Sequence, residues 1–182
     1  MTLPFGIILT QDNIITVCLK ESALARAFTD SPVKNFSTRK KNRMTLQMLY
    51  RNATLFLFYL RELEKASNRV ENELHVSMRN KELIQMLGLE KSLVYFSTSL
   101  KGNELVLEKL LRMDFVKNFP DDTDLLEEVI IENKQAIEMA NIYRDILNGT
   151  MNTFSSVMSN NLNTVMKVLA SLTVVLTIPT II

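Results

Sequence analysis

The chain has 182 residues, and its 21 lysines and arginines nearly balance its 20 aspartates and glutamates. A nucleic-acid-binding module carries a strong basic excess, so that class is excluded. Four glycines and four prolines leave few breakers among abundant Leu, Met, Asn, Glu and Lys, which predicts a mainly α chain of long helices.

The start reads as a β-hairpin. Phe5 to Thr10 and Ile14 to Cys18 are short and rich in β-branched residues, with Gln11-Asp12-Asn13 between them. Cys18 is the only cysteine, so no intrachain disulfide can form. Its place in an apolar alternating run predicts a buried, inert thiol. Met1 opens no signal-peptide pattern. A short helix is expected from about Ser22 to Thr29, ended by Asp30-Ser31-Pro32. A hairpin and one short helix cannot form a core alone. Either this piece, residues 1–36, packs on the later helices or further strands lie before Met1, and the second is the expectation.

A long helix is predicted from Ser37 or Thr38, either of which can cap it. Leu46, Leu49, Ala53, Phe56, Leu60, Leu63, Val70 and Leu74 follow alternating three- and four-residue steps, with Ser67 at the polar one. That is a coiled-coil seam. A second helix, from about Asn80 to Lys117, repeats it with Leu83, Met86, Leu93, Phe96, Leu100, Leu107 and Leu110. Gly88 and Gly102 weaken that helix without ending it. The two should fold back as an antiparallel hairpin over 37–119. The basic run Arg39, Lys40, Lys41 and Arg43 reads as an exposed helix start. The one histidine, His75, has no His or Cys companions for a metal site.

Pro120 is expected to stop the second helix, with Asp122 or Thr123 capping the third. Leu125, Val129, Ala136, Ala140, Tyr143, Leu147, Phe154, Val157 and Val168 continue a near-heptad seam. A helix that long exceeds the needs of a small globular domain and predicts a stalk over 120–164. Asp121, Asp122, Asp124, Glu127, Glu128 and Glu132 crowd its start, where carboxylates compensate the helix dipole.

From Ile146 onward only Lys167 is charged. Val168 to Ile182 is apolar and spans about 22 Å as a helix, short of the roughly 30 Å hydrocarbon core. The expectation is the first part of a membrane span, 165–182, that continues past Ile182. Asn163, Ala170, Thr173, Thr177 and Thr180 lie on one face, which suits helix packing or a water-lined path. There is no nucleophile motif, Gly-rich phosphate loop or metal-ligand cluster, so an enzyme is not expected.

Ser159-Asn-Asn-Leu-Asn-Thr-Val-Met-Lys-Val-Leu, running into an apolar Thr/Ile/Pro segment, resembles the stalk-to-first-span junction of the CorA magnesium transporter family. The stretch from Asn133 to Met151 resembles that family's stalk helix, and Leu89 to Phe96 its preceding helix. The resemblance implies that residues 1–36 are the end of the family's α/β domain. The resemblance implies a homopentameric divalent-cation channel in the plasma membrane of a bacterial cell, with residues 1–164 cytoplasmic and the last segment in the bilayer. The cargo it implies is Mg2+, with Co2+, Ni2+ and Zn2+ carried by related members. It places Asn163, Met166, Leu169, Thr173, Thr177 and Thr180 along the pore, Asn163 at the mouth and Met166 and Leu169 as an apolar constriction. It makes Glu128 a regulatory Mg2+-sensing carboxylate. The family's Gly-Met-Asn signature and second span would lie beyond Ile182. The competing expectation is a membrane-tail-anchored coiled-coil adaptor, against which the short, Pro-interrupted last segment speaks.

Overall fold

In a computed structural model, residues 2–29, 37–77, 80–113 and 120–177 are described, with backbone alone for 76, 77 and 175–177. Strands β1 (Phe5–Leu9) and β2 (Ile14–Cys18) pair antiparallel, with Leu9 opposite Ile14 and Phe5 opposite Cys18. Thr10 closes the turn: its amide and hydroxyl donate to the Asn13 carbonyl, and its Oγ1 accepts from the Asn13 amide. Helix α1 (Ala23–Thr29) starts on Ser22, whose Oγ accepts from the Leu24 amide at 3.1 Å, an N-cap contact.

Three long helices follow: α2 (Lys41–Ser77), α3 (Asn80–Arg112) and α4 (Pro120–Thr177). Their buried residues recur every seven. Leu46, Ala53, Leu60 and Leu74 are buried on α2, and Met86, Leu93, Leu100 and Leu107 on α3. Leu126, Asn133, Ala140, Leu147 and Phe154 are buried on α4. A seven-residue period keeps one narrow stripe facing the partner helices, so the three pack as a coiled coil. Arg43 meets Asp122, Glu64 meets Tyr143 and His75 meets Phe154. Numbers rise together along both helices, so α4 runs parallel to α2 and antiparallel to α3.

Asn133 interrupts the apolar core. It is only 2% exposed, and its Nδ2 donates to the Leu100 carbonyl at 3.1 Å. One apolar cluster lies on its N-terminal side along α4, around Leu46, Leu107, Leu126 and Val129. A larger one lies beyond it, from Leu57 and Leu100 to Leu147 and Phe154. A single buried amide in a heptad core requires a partner, and in this register it takes the Leu100 carbonyl.

Several expectations change. The first long helix begins at Lys41, because a tight turn, Lys40 N–H to the Ser37 carbonyl, precedes it. Helix α3 ends at Arg112; the expected stretch to Lys117 falls largely outside the described residues. Pro120 opens α4, its missing N–H being no loss in the first turn. Asp122 turns inward to Arg43, whose Nη1 lies 3.0 Å from its carboxylate and 3.9 Å from that of Asp121. Arg43 is thus a half-buried tie rather than part of an exposed patch. Lys41 is committed too, its Nζ donating to the Thr10 and Gln11 carbonyls. On α4 the buried row passes through Leu126, with Leu125 beside it, while Val157 and Val168 are exposed. Cys18 is exposed rather than buried: it stands opposite Phe5 at the end of β2, and the partly covered positions of the hairpin are Phe5, Ile7 and Ile14.

Two tyrosines join α2 to α4. Tyr143 donates to Glu64 Oε2 at 2.8 Å. Burial first, then the Glu64 hydrogen bond and charge, push its phenol above the ordinary value, with Arg61 opposing. Burial likewise raises Tyr50, helped by the charges of Glu128 and Glu132 and a hydrogen bond to Glu128.

Asn133→Leu should raise the melting midpoint by roughly 1 kcal/mol in stability, since it removes a buried polar group. It should also blur the register, seen as doubled or broadened amide resonances. A lowered midpoint would mean that the amide bond contributes net stability. Because both phenols have raised folded values, their share of stability is present below about pH 10 and lost as pH climbs through the folded values. Tyr143→Phe should cost about 1 kcal/mol at neutral pH and flatten the alkaline loss, measured by circular dichroism melts between pH 8 and 11.

Candidate functional site

Helix α4 outlasts its partners. Its 58 residues span about 87 Å, but α2 ends at Ser77 and the buried row stops at Phe154. The His75 ring meets Phe154 edge-on, centroids 4.8 Å apart, at this exit point. The remaining stretch to Thr177 projects about 34 Å by itself. Large apolar residues there lie bare: Met166 is 65% exposed and Leu169 52%. So much uncovered apolar surface on one rod marks a segment made for other surroundings than water.

Asn163, Met166, Leu169 and Thr173 all lie on this projecting stretch, exposed, at steps of three and four residues. They share one face of the helix. Thr177 closes α4 with only its backbone described, and Thr180 falls outside the described residues. Several hydroxyls on the segment bond to carbonyls within the helix. Thr164 donates to the Asn160 carbonyl, Ser171 to Lys167 and Thr173 to Leu169, at 2.8 to 3.0 Å. A hydroxyl so engaged needs no outside acceptor, yet its oxygen still offers lone pairs to water. Among the described residues, no helix is long and apolar enough to cross a membrane.

Glu128 lies far from this face, in the third turn of α4. It is exposed, and the Tyr50 phenol of α2 hydrogen-bonds it. Glu132, one turn on, is half-buried and also faces Tyr50 electrostatically. Paired carboxylates four apart on a helix repel each other, and their hard oxygens suit Mg2+ and its retained waters. Among the described residues, no three His, Cys, Asp or Glu side chains converge to hold a metal ion.

Tyr50, Arg43 and Asn133 were missed as site-supporting residues. Tyr50 stands beside the seam position Leu49, and only the parallel course of α4 brings Glu128 to it. Asn133 had a legible signal: it lies seven residues before Ala140, in the row itself.

The whole chain, residues 1–182, matches the family described as CorA-like Mg2+ transporter protein. A curated relative, the cobalt/magnesium transport protein CorA of Methanocaldococcus jannaschii, is 30% identical over 120 residues. That alignment takes in 66% of this chain and 38% of the relative. The complete structure of the CorA magnesium transporter from the same organism superposes with a TM-score of 0.68 and 21% identity, covering 92% of this chain and 58% of that one. The structure of the soluble domain of that organism's CorA gives 0.64 and 21%, covering 82% and 67%. At such identity the structural likeness shows the fold: a hairpin followed by long helices, the last one outrunning the rest. The family model spans every element described above, and the chain belongs to the CorA-like Mg2+ transporter family.

Proposed function

We propose that this chain is the cytoplasmic regulatory and pore-entry part of a divalent-cation channel subunit, with Mg2+ as cargo and Co2+, Ni2+ or Zn2+ as further candidates. The observation that carries it is the exit of α4 from the bundle as a lone, largely apolar rod whose one charge is Lys167, in a chain that matches a transporter family from end to end. The chain spans well under two thirds of its curated relative, so transport belongs to the full-length protein.

Residues 1–36 then close an α/β domain, 37–119 form the helical hairpin, 120–164 the stalk and 165–182 the start of the first membrane span. Several copies, five in the reading the resemblance supports, bring their α4 rods together in the lipid bilayer of the cell membrane, with residues 1–164 on the cytoplasmic side. Asn163 presents an uncharged amide to hydrated ions at the mouth, where it can hold a water shell without trapping the ion by charge. Met166 and Leu169 form an apolar constriction that closes by dewetting. Thr173, Thr177 and Thr180 continue the path with hydroxyls. Glu128, held by Tyr50, senses cytoplasmic Mg2+ through its carboxylate and retained waters, together with acidic partners on a neighbouring surface.

Reconstituted full-length protein should take Mg2+ into liposomes loaded with a magnesium-sensitive dye, and internal Mg2+ should inhibit that uptake. Glu128→Ala should weaken the inhibition by about an order of magnitude in Mg2+ concentration, the equivalent of about 1.4 kcal/mol. Unchanged inhibition would sink the sensing role, and absent uptake by the unaltered protein would sink the channel reading. Met166→Ser should wet the constriction and raise resting flux; a flux that falls or stays level would remove Met166 from the gate.

A further inference from the structure

Three contacts fix how α2 and α4 lie along each other. Arg43 meets Asp122, Glu64 meets Tyr143 and His75 meets Phe154, and each pair is seventy-nine residues apart. The same offset sets Tyr50 level with Val129. Both pack in one apolar cluster with Leu46 and Leu126. Beside Val129 on α4 stand two carboxylates, Glu128 and Glu132, four residues apart and so on neighbouring turns of one face. Helical side chains lean toward the N-terminus of their helix. Glu132 therefore leans back over the turn that holds Val129, toward the phenol that Glu128 already accepts from.

A phenol has one O–H and donates it to one acceptor at a time. Burial first, then the charges of both glutamates and the hydrogen bond to Glu128, raises Tyr50 above the ordinary value, so at neutral pH it has this proton to give. Two acceptors thus compete for one donor. Among the described residues, neither carboxylate is paired with a lysine or arginine. The balance between them is set by charge, because a hydrogen bond to an ionised acceptor is roughly twice as strong as a neutral one. A divalent cation on either oxygen of Glu128 draws off the charge of the whole group and makes it the poorer acceptor. Glu132, half-buried where Glu128 is exposed, is the less open of the two to a hydrated ion and keeps its charge.

We propose that Tyr50 relays the occupancy of Glu128 to α2: its hydroxyl donates to Glu128 while that carboxylate is free, and to Glu132 when Mg2+ occupies Glu128. This rests on the sensing role of Glu128 given above. No proton leaves the phenol; only its acceptor changes. Glu132 lies one turn, about 5.4 Å, nearer the projecting end of α4, so the change moves the point at which α2 holds α4 along that helix. Each state satisfies the half-buried hydroxyl, which makes the pair of carboxylates a two-position element, and the cation biases it by binding one position.

Full-length protein labelled with 3-fluorotyrosine and reconstituted in lipid nanodiscs tests this by fluorine NMR. The Tyr50 resonance, assigned by its loss in Tyr50→Phe, should move as Mg2+ is added and settle over the range that inhibits uptake. In Glu128→Ala without Mg2+ it should already lie near the Mg2+-bound position, since Glu132 is then the acceptor, and added Mg2+ should leave it there. Uptake into liposomes gives a second reading. Glu132→Ala should raise the inhibitory Mg2+ concentration about tenfold with Tyr50 in place but only about threefold in Tyr50→Phe, a non-additivity that a merely structural tyrosine would not produce. A Tyr50 resonance unmoved by Mg2+ that still inhibits uptake, or additive effects of the two substitutions, would overturn the relay while leaving the sensing role of Glu128 standing. Inhibition unaffected by Glu128→Ala would overturn both.

Discussion

The seven-residue row of α4, from Leu126 through Asn133, Ala140 and Leu147 to Phe154, is the constraint on which the rest of the molecule depends. It lies along the core between α2 and α3 and joins them. Ala136 and Ala140 are small and fully covered, which lets α4 lie close to Leu57, Leu60, Leu93 and Leu100. Burial of each such leucine contributes about 1.5–3 kcal/mol, which makes the row adhesive. The apolar contacts alone would tolerate a slip of one heptad, since every layer offers another leucine. Asn133 marks one layer of the row as polar, with its amide paired to the Leu100 carbonyl.

At the end of the bundle where α2 and α4 both begin, polar ties replace apolar ones. Lys41 reaches the hairpin turn through the Thr10 and Gln11 carbonyls. Two residues on, Arg43 reaches Asp122, whose carboxylate is buried where α4 starts. A buried carboxylate beside a guanidinium is stable only as a pair, so removing either partner leaves a costly orphan. The first turn of α2 therefore holds the hairpin on one side and the start of α4 on the other.

At the other end α4 goes on without company. Helix α2 ends at Ser77 and α3 begins at Asn80, so past Phe154 no helix among the described residues flanks it. Charge disappears from the sequence just before that point, with Lys167 the exception. On the projecting segment Thr164, Ser171 and Thr173 bond to carbonyls of their own helix. A hydroxyl so bonded can leave water without losing its hydrogen bond.

The elements were legible in the sequence because each is a local pattern. Alternation with a polar turn gave the hairpin, three-four spacing gave the two helices of the antiparallel pair, and the loss of charge after Asp145 marked where α4 changes surroundings. Asn163, Met166, Leu169 and Thr173 could be placed on one face from spacing alone, since one helix obeys one periodicity. Other features depend on pairs of residues far apart in the chain, and no local pattern encodes them. The parallel course of α2 and α4 brings Tyr50 to Glu128 and Tyr143 to Glu64, across separations of seventy-eight and seventy-nine residues. Burial of Asn133 and Asp122, both polar by type, follows from what packs over them, as does the exposure of apolar Cys18. The sequence by itself determined which residues form helix or strand, because that is settled by side-chain periodicity and backbone propensity within a few turns. The tertiary structure decided the register, the polar ties and the point at which α4 is left bare. Those are settled by which surfaces meet, and by where the partner helices run out.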